Sequence, residues 1–157
     1  MSVRPFTSKL ESNQRILMST HSTSKTPHEI IEEEKEAYLD ELPEPDPDWP
    51  VDVRLIYEEI RARMFEWEGV EAQKILGDLE IKSNDAYSRF RHCTGYGIKE
   101  FAIQHRLRLS KRLFRNTDLN VSGIALSVGY SSTSGFSKTF KRHVGVTPSD
   151  FRRRQEI

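Results

Sequence analysis

From Val51 onward, apolar residues recur at spacings of three and four, and no stretch alternates with period two over a useful length. That regularity predicts an all-α domain. Val53, Ile56, Ile60, Met64 and Trp67 give one apolar face to a helix over about 52–67, ended by Gly69. Val70, Ile75 and Leu76 mark a short second helix, followed by a turn around 77–81. Ser83-Asn84-Asp85 offers an N-cap for a third helix carrying Ala86, Tyr87, Phe90 and Cys93. Gly95 and Gly97 bracket a break before a long helix over 98–116. Asn120 caps a short helix through Ile124, Ala125 and Val128, and Gly129 stops it. Phe136, Phe140 and Val144 lie at i, i+4 and i+8 on the next helix, which Gly145 ends. The last helix starts at Thr147-Pro148-Ser149-Asp150, with Thr147 as cap and Pro148 in the first turn.

The order short helix, tight turn, basic helix occurs twice, over 70–93 and 121–144. In the second copy the small Ala125 lets the next helix cross closely, and Gly129 makes the turn. This is the arrangement of a helix-turn-helix, whose second helix enters the DNA major groove. Around Phe136 and Phe140 the outward residues are Thr133, Ser134, Ser137, Lys138, Lys141 and Arg142. Around Phe90 they are Asn84, Ser88, Arg91 and His92. The helix over 98–116 joins the two units and spans roughly 28 Å. That is near the ~34 Å between successive major-groove faces. One chain therefore suffices to present two reading helices, and a monomer on DNA is expected, with a homodimer through an amphipathic N-terminal helix as the alternative.

Charge divides the chain although its net is zero: residues 1–50 carry −6, residues 51–80 carry −4 and residues 81–157 carry +10. A polyanion suits the last part. Residues 1–50 hold the low-complexity run 19–26, three consecutive glutamates from Glu32, and the proline-alternating run from Leu42 to Asp48. They are expected to be largely disordered, with 43–50 as an extended linker. Ile30, Ile31, Ala37, Tyr38 and Leu42 would suit a short amphipathic helix over 29–42, whose order the residues leave open. The single cysteine, Cys93, excludes an intrachain disulfide, and no Cys/His spacing supports a metal. No apolar run reaches membrane-spanning length, and Met1–Leu10 lacks the apolar core of a secretory signal, so a cytoplasmic protein is expected.

The run Ile124-Ala125-Leu126-Ser127-Val128-Gly129-Tyr130 is followed by Phe136-Ser137-Lys138-Thr139-Phe140-Lys141-Arg142, then Gly145-Val146-Thr147-Pro148 and Phe151-Arg152. Together these resemble the signature of the AraC/XylS-type transcription regulators, nearly unbroken. Phe90, Thr94-Gly95, Ile98, Phe101, Arg106-Leu107 and Leu113-Phe114 extend the likeness to about 53–154. The resemblance implies a seven-helix domain over 51–157. Its unit one would cover about 53–96, its linker helix 98–116 and its unit two about 119–155. It also implies sequence-specific binding of double-stranded promoter DNA, with base contacts from Asn84, Tyr87, Ser88 and Arg91 in unit one. Regulation would follow by contacting RNA polymerase or by occluding it. In unit one Glu80 stands where the family has its turn glycine, Ala86 at a usual leucine and Arg89 at a usual apolar position. Fifty acidic, proline-containing residues cannot form a sensor barrel, so the chain resembles a stand-alone DNA-binding member or that part of a larger one.

Blander readings compete for individual residues. The cluster Arg106, Arg108, Lys111, Arg112 and Arg115, and the run Arg152-Arg153-Arg154, would by themselves suit solvated faces. Arg106 is expected to brace the two units by pairing with a carboxylate. Tyr87 suits either the core or the groove face and leans to the core, and Cys93 reads as a buried small hydrophobe. His92, His105 and His143 lack ligand spacing, and Ser22-x-x-Lys25 matches a nucleophile–base spacing only by chance. No catalytic constellation is found, so no enzyme and no cofactor are expected. Two other functions remain as alternatives. One is a protein-interaction role in which the acidic N-terminal segment folds over the basic surface and lowers DNA affinity. The other is non-specific duplex coating.

Overall fold

The computed structural model describes residues 24–67 and 70–156, so Gly69 and most of the run 19–26 lie outside the described residues. Among them are eight α-helices and no strand. In chain order these are α1 (Pro27–Asp40), α2 (Val51–Arg63), α3 (Ala72–Asp78), α4 (Asp85–Thr94), α5 (Ile98–Asn116), α6 (Val121–Ser127), α7 (Thr133–Val144) and α8 (Pro148–Gln155). Seven of them, α2 to α8, make up the expected all-α array.

Two aromatic-rich cores hold the array. The first gathers Val53, Ile56, Tyr57, Ile60 and Met64 of the α2 segment with Ile75, Leu76, Ala86, Phe90, Ile98 and Phe101. The second gathers Leu109, Leu113 and Phe114 of α5 with Ile124, Ala125, Val128, Phe136, Phe140 and Phe151. Because α5 contributes to both, it serves as their common wall. Phe114, Phe140 and Phe151 meet edge-on or tilted at ring separations of 5.5–5.9 Å, the geometry that aromatic quadrupoles favour. The helix expected over 52–67 stops at Arg63, and Trp67 is 66% exposed rather than on the apolar face.

Order begins well before residue 51, which corrects the expectation of a largely disordered 1–50 over residues 24–50. A capping box starts α1: the Thr26 hydroxyl accepts from the Glu29 amide, and the Glu29 carboxylate accepts from the Thr26 amide at 2.7 Å. Tyr38 is buried in the second core, Leu39 packs on the first, and Leu42 touches both. The Tyr38 hydroxyl lies 2.7 Å from Nδ1 of the buried His105 on α5. Burial first, then the nearby Arg108 charge, lowers the His105 pKa to about 4. Burial likewise raises Tyr38 to about 12. Tyrosine therefore donates and neutral imidazole accepts, so His105 serves as a buried structural acceptor.

The acidic-proline run is tied down by the same logic. Tyr57 donates to the Pro43 carbonyl at 2.7 Å, Arg61 binds Glu44 at 3.0 Å and the Leu39 carbonyl at 3.0 Å, and Trp49 stands edge-on to Tyr57. Tyr38, Leu39 and Leu42 are thus packed inside the molecule.

Candidate nucleic-acid interface

In each helix-turn-helix the turn closes by one backbone pattern. The Ile81 amide reaches back to the Leu76 carbonyl at 2.8 Å, and Tyr130 to Ala125 at 3.0 Å. Such a helix ending requires a residue in the left-handed region. Gly129 takes it with φ 93°, and Glu80 takes it with φ 54°, so the glutamate adopts the family's glycine conformation. For a non-glycine residue this costs about 1 kcal/mol.

Downstream of the turns, α4 and α7 run in register. Phe90 and Phe140 fill the two cores, and both helices end on a left-handed glycine, Gly95 and Gly145. In that register Asn84, Tyr87, Ser88 and Arg91 match Ser134, Ser137, Lys138 and Lys141, each set at i, i+3, i+4 and i+7. All four of the first set are exposed; in the second, Ser134, Lys138 and Lys141 are exposed and Ser137 is half-buried. Each helix therefore carries one outward polar stripe opposite its core. Tyr87 is 38% exposed, so its expected lean to the core is wrong. Its neighbour Ala86 takes the core position instead, so Tyr87 falls on the outward side of the helix.

The other two candidates lie at the margin of the α7 stripe. Arg142 is exposed, one residue beyond Lys141. Thr133 is half-buried and its hydroxyl donates to the Ser122 hydroxyl at 2.9 Å, fixing the start of α7 against α6. Caps hold the helix starts. Asn120 accepts from the Gly123 amide at 2.7 Å, Ser132 from Gly135 at 3.1 Å and Thr147 from Asp150 at 3.1 Å. Asn84 caps with no side-chain bond, and Ser83 instead accepts from the Asp85 amide at 3.2 Å, which frees the Asn84 amide for solvent.

Sequence reasoning misassigned or missed two supports, Arg89 and Arg106, and misplaced Cys93. Arg89 turns away from the stripe to pair with Asp52 at the start of α2, and this bond holds the Asp52 carboxyl below the usual range. Its only signal was its presence at an apolar position. Arg106 braces the two units, but through carbonyls rather than a carboxylate. Its Nε donates to Met64 O at 2.6 Å, its Nη2 donates to Glu66 O at 3.1 Å, and its guanidinium lies over the Tyr130 ring. Burial pushes its pKa down. Cys93 is half-buried at the edge of the first core, not enclosed.

The acidic segment engages the linker helix. Arg112 pairs with Glu34 and with Glu41 at 2.8 Å, and Asn116 donates to Glu34 at 3.2 Å. None of the ten candidate contact residues takes part in these bonds, so the described acidic residues do not cover the stripes.

Two in-register helix-turn-helix units on one chain, each with an outward polar stripe, define a DNA-binding transcription regulator. Residues 78–154 match the family described as "Helix-turn-helix domain". The chain is 39% identical over 75 residues to the Msm operon regulatory protein of Streptococcus mutans, matching 48% of this chain and 27% of that protein. It is 30% identical over 104 residues to the regulatory protein SoxS of Salmonella typhimurium, matching 62% of this chain and 97% of SoxS. The C-terminal domain of AraT, a response regulator from Geobacillus stearothermophilus, has the same fold at TM-score 0.63 and 22% identity, covering 68% of this chain and 88% of that one. The chain belongs to the AraC/XylS-type family of transcription regulators. It spans about a quarter of the Streptococcus mutans relative and nearly all of SoxS.

Proposed function

We propose that this chain reads one asymmetric duplex site as a monomer, with α4 and α7 in successive major-groove faces. The observation that carries the reading is the register of the two stripes, which gives equivalent outward positions on two helices of one chain. Arg91 and Asn84 suit guanine and adenine respectively, and Tyr87 suits apolar contact with a thymine methyl. Ser134, Ser137 and Lys138 discriminate bases less sharply, so unit one supplies more of the sequence preference. Thr133, Lys141 and Arg142 serve the backbone and fix register. The site lies in a promoter in the cytoplasm, and its occupancy alters transcription by contact with RNA polymerase or by occluding it.

Selection of bound duplexes from a random pool tests this. The expected winner is one asymmetric motif spanning two major-groove faces, bound at least about 10³-fold tighter than a scrambled duplex. With about 6 phosphates neutralised, log K should fall against log salt with a slope near −5. Salt-sensitive binding without any enriched motif would replace sequence reading by non-specific coating.

A further inference from the structure

Between α5 and α7, on the side facing unit one, lies an open cleft of about 270 Å³. Lys99 and Arg106 line it from α5, Tyr130 from the second turn, and Gly135, Thr139 and Arg142 from α7. Three cationic side chains therefore line one concavity, whose remaining wall is Val70, Ala102 and Ile103. Among the described residues neither Lys99 nor Arg142 makes an ion pair. The nearby acid, Glu100, is engaged by Gln104 at 2.8 Å and by His143 at 3.1 Å. Gly135 adds no side chain, and a Cβ there would meet only the Ser132 hydroxyl, so the mouth stays clear.

Where the cleft sits on α7 identifies what it would face. Ser134, Lys138 and Lys141 form the outward stripe, and Gly135, Thr139 and Arg142 follow about 100° further round the helix. Phe136 and Phe140 take the opposite, buried side. A helix about 10–12 Å wide in a groove about 12 Å wide has a phosphate wall along each flank. The flank bearing the cleft is turned toward unit one, hence toward the backbone that runs between the two major-groove segments.

We propose that this cleft is a phosphate site, in which Lys99 and Arg142, steadied by Arg106, hold the backbone phosphate where the duplex passes from one reading helix to the other. The proposal rests on the DNA-binding reading above and adds Lys99, which lies on neither stripe. It makes the joint between the units part of the DNA surface, so that the spacing of the two half-sites is sensed by a charge contact as well as by the length of α5.

Lys99→Gln separates the possibilities, because Lys99 is exposed and its loss leaves both cores intact. Affinity for the selected duplex and for a scrambled one should both fall about five- to tenfold at about 0.1 M salt, with the salt slope shallower by about 1 and their ratio unchanged. In parallel, inorganic phosphate is titrated into the DNA-free protein while the amide resonances of Lys99, Gly135 and Thr139 are followed. Undiminished duplex affinity with a saturable phosphate response that Lys99→Gln abolishes assigns the site to a free phosphate instead. Neither effect overturns the proposal while the motif selected by the wild-type chain keeps the DNA reading standing. A wild-type chain that binds no duplex sinks that reading, and the phosphate titration then decides the cleft alone.

Discussion

The two helix-turn-helix units reach the same backbone by different means. Unit two uses the family's residues: Gly129 in its turn, Phe136 under the start of its reading helix and Thr139 beside it. Unit one has Glu80, Ala86 and Arg89 in those places. It compensates with α2, whose buried Val53, Ile56 and Ile60 fill the core that the small Ala86 leaves underfilled. Asp52 at the start of α2 receives Arg89. The lesson is that the motif is a backbone geometry, and its side chains can be exchanged when a neighbouring helix supplies the missing volume and charge.

The sharpest way to break the comparison is Phe136→Ala. This fully buried ring packs against Tyr130, Phe140 and Phe114. Urea unfolding should register a loss of about 3–5 kcal/mol. A cost as small as that of a surface substitution would mean that unit two, too, is filled from elsewhere.

Acid tests the strap that ties both cores. His105 is buried neutral with its pKa at about 4, against an ordinary 6.5. The unfolded chain takes up the proton first, so stability is constant above that ordinary value and falls as pH drops toward the folded one. The total loss from this group is about 3 kcal/mol. Stability measured across that range should fall accordingly, and the double variant Tyr38→Phe/His105→Leu should remove this part of the slope. A slope that the double variant leaves unchanged would refute the neutral, buried imidazole.

The turns give the smallest and most direct contrast. At Gly129 a Cβ would lie 3.0 Å from the Glu66 carbonyl oxygen and 3.0 Å from Arg106 Nη2, at a φ of 93°. Gly129→Ala should cost about 2 kcal/mol by thermal or urea unfolding. Glu80→Gly relieves left-handed strain at an exposed position and should stabilise by about 0.5–1 kcal/mol. Equal and opposite responses are not expected, because only Gly129 is also pinned by a neighbouring unit. If Gly129→Ala proved as mild as a surface change, the close approach of Arg106 and Glu66 would not be a constraint.

Much of this was legible in the residues. Helical periodicity predicted the all-α class, and the spacing from Ile124 to Pro148 predicted the second unit with its caps at Asn120 and Thr147 and its turn at Gly129. The outward stripes followed from counting around Phe90 and Phe140. Tyr87 was the exception, since an aromatic ring reads as core until a smaller neighbour is seen to hold that place. The brace was legible only in part: Arg106 could be suspected, but its acceptors are backbone carbonyls, which carry no signature in the side chains.

What the sequence determined by itself is local: periodicity, caps and turns depend on residues within one or two turns of each other. Tertiary structure decided the rest. Residues 1–50 read as largely disordered, with the order of 29–42 left open, because acid, proline and polar residues bury little within the segment, yet Tyr38 finds His105, Arg112 finds Glu34 and Tyr57 finds the Pro43 carbonyl across the chain. The gathering of Lys99, Arg106 and Arg142 around one cleft was equally hidden. Such contacts depend on how helices distant in sequence are placed, and no spacing along the chain encodes that placement.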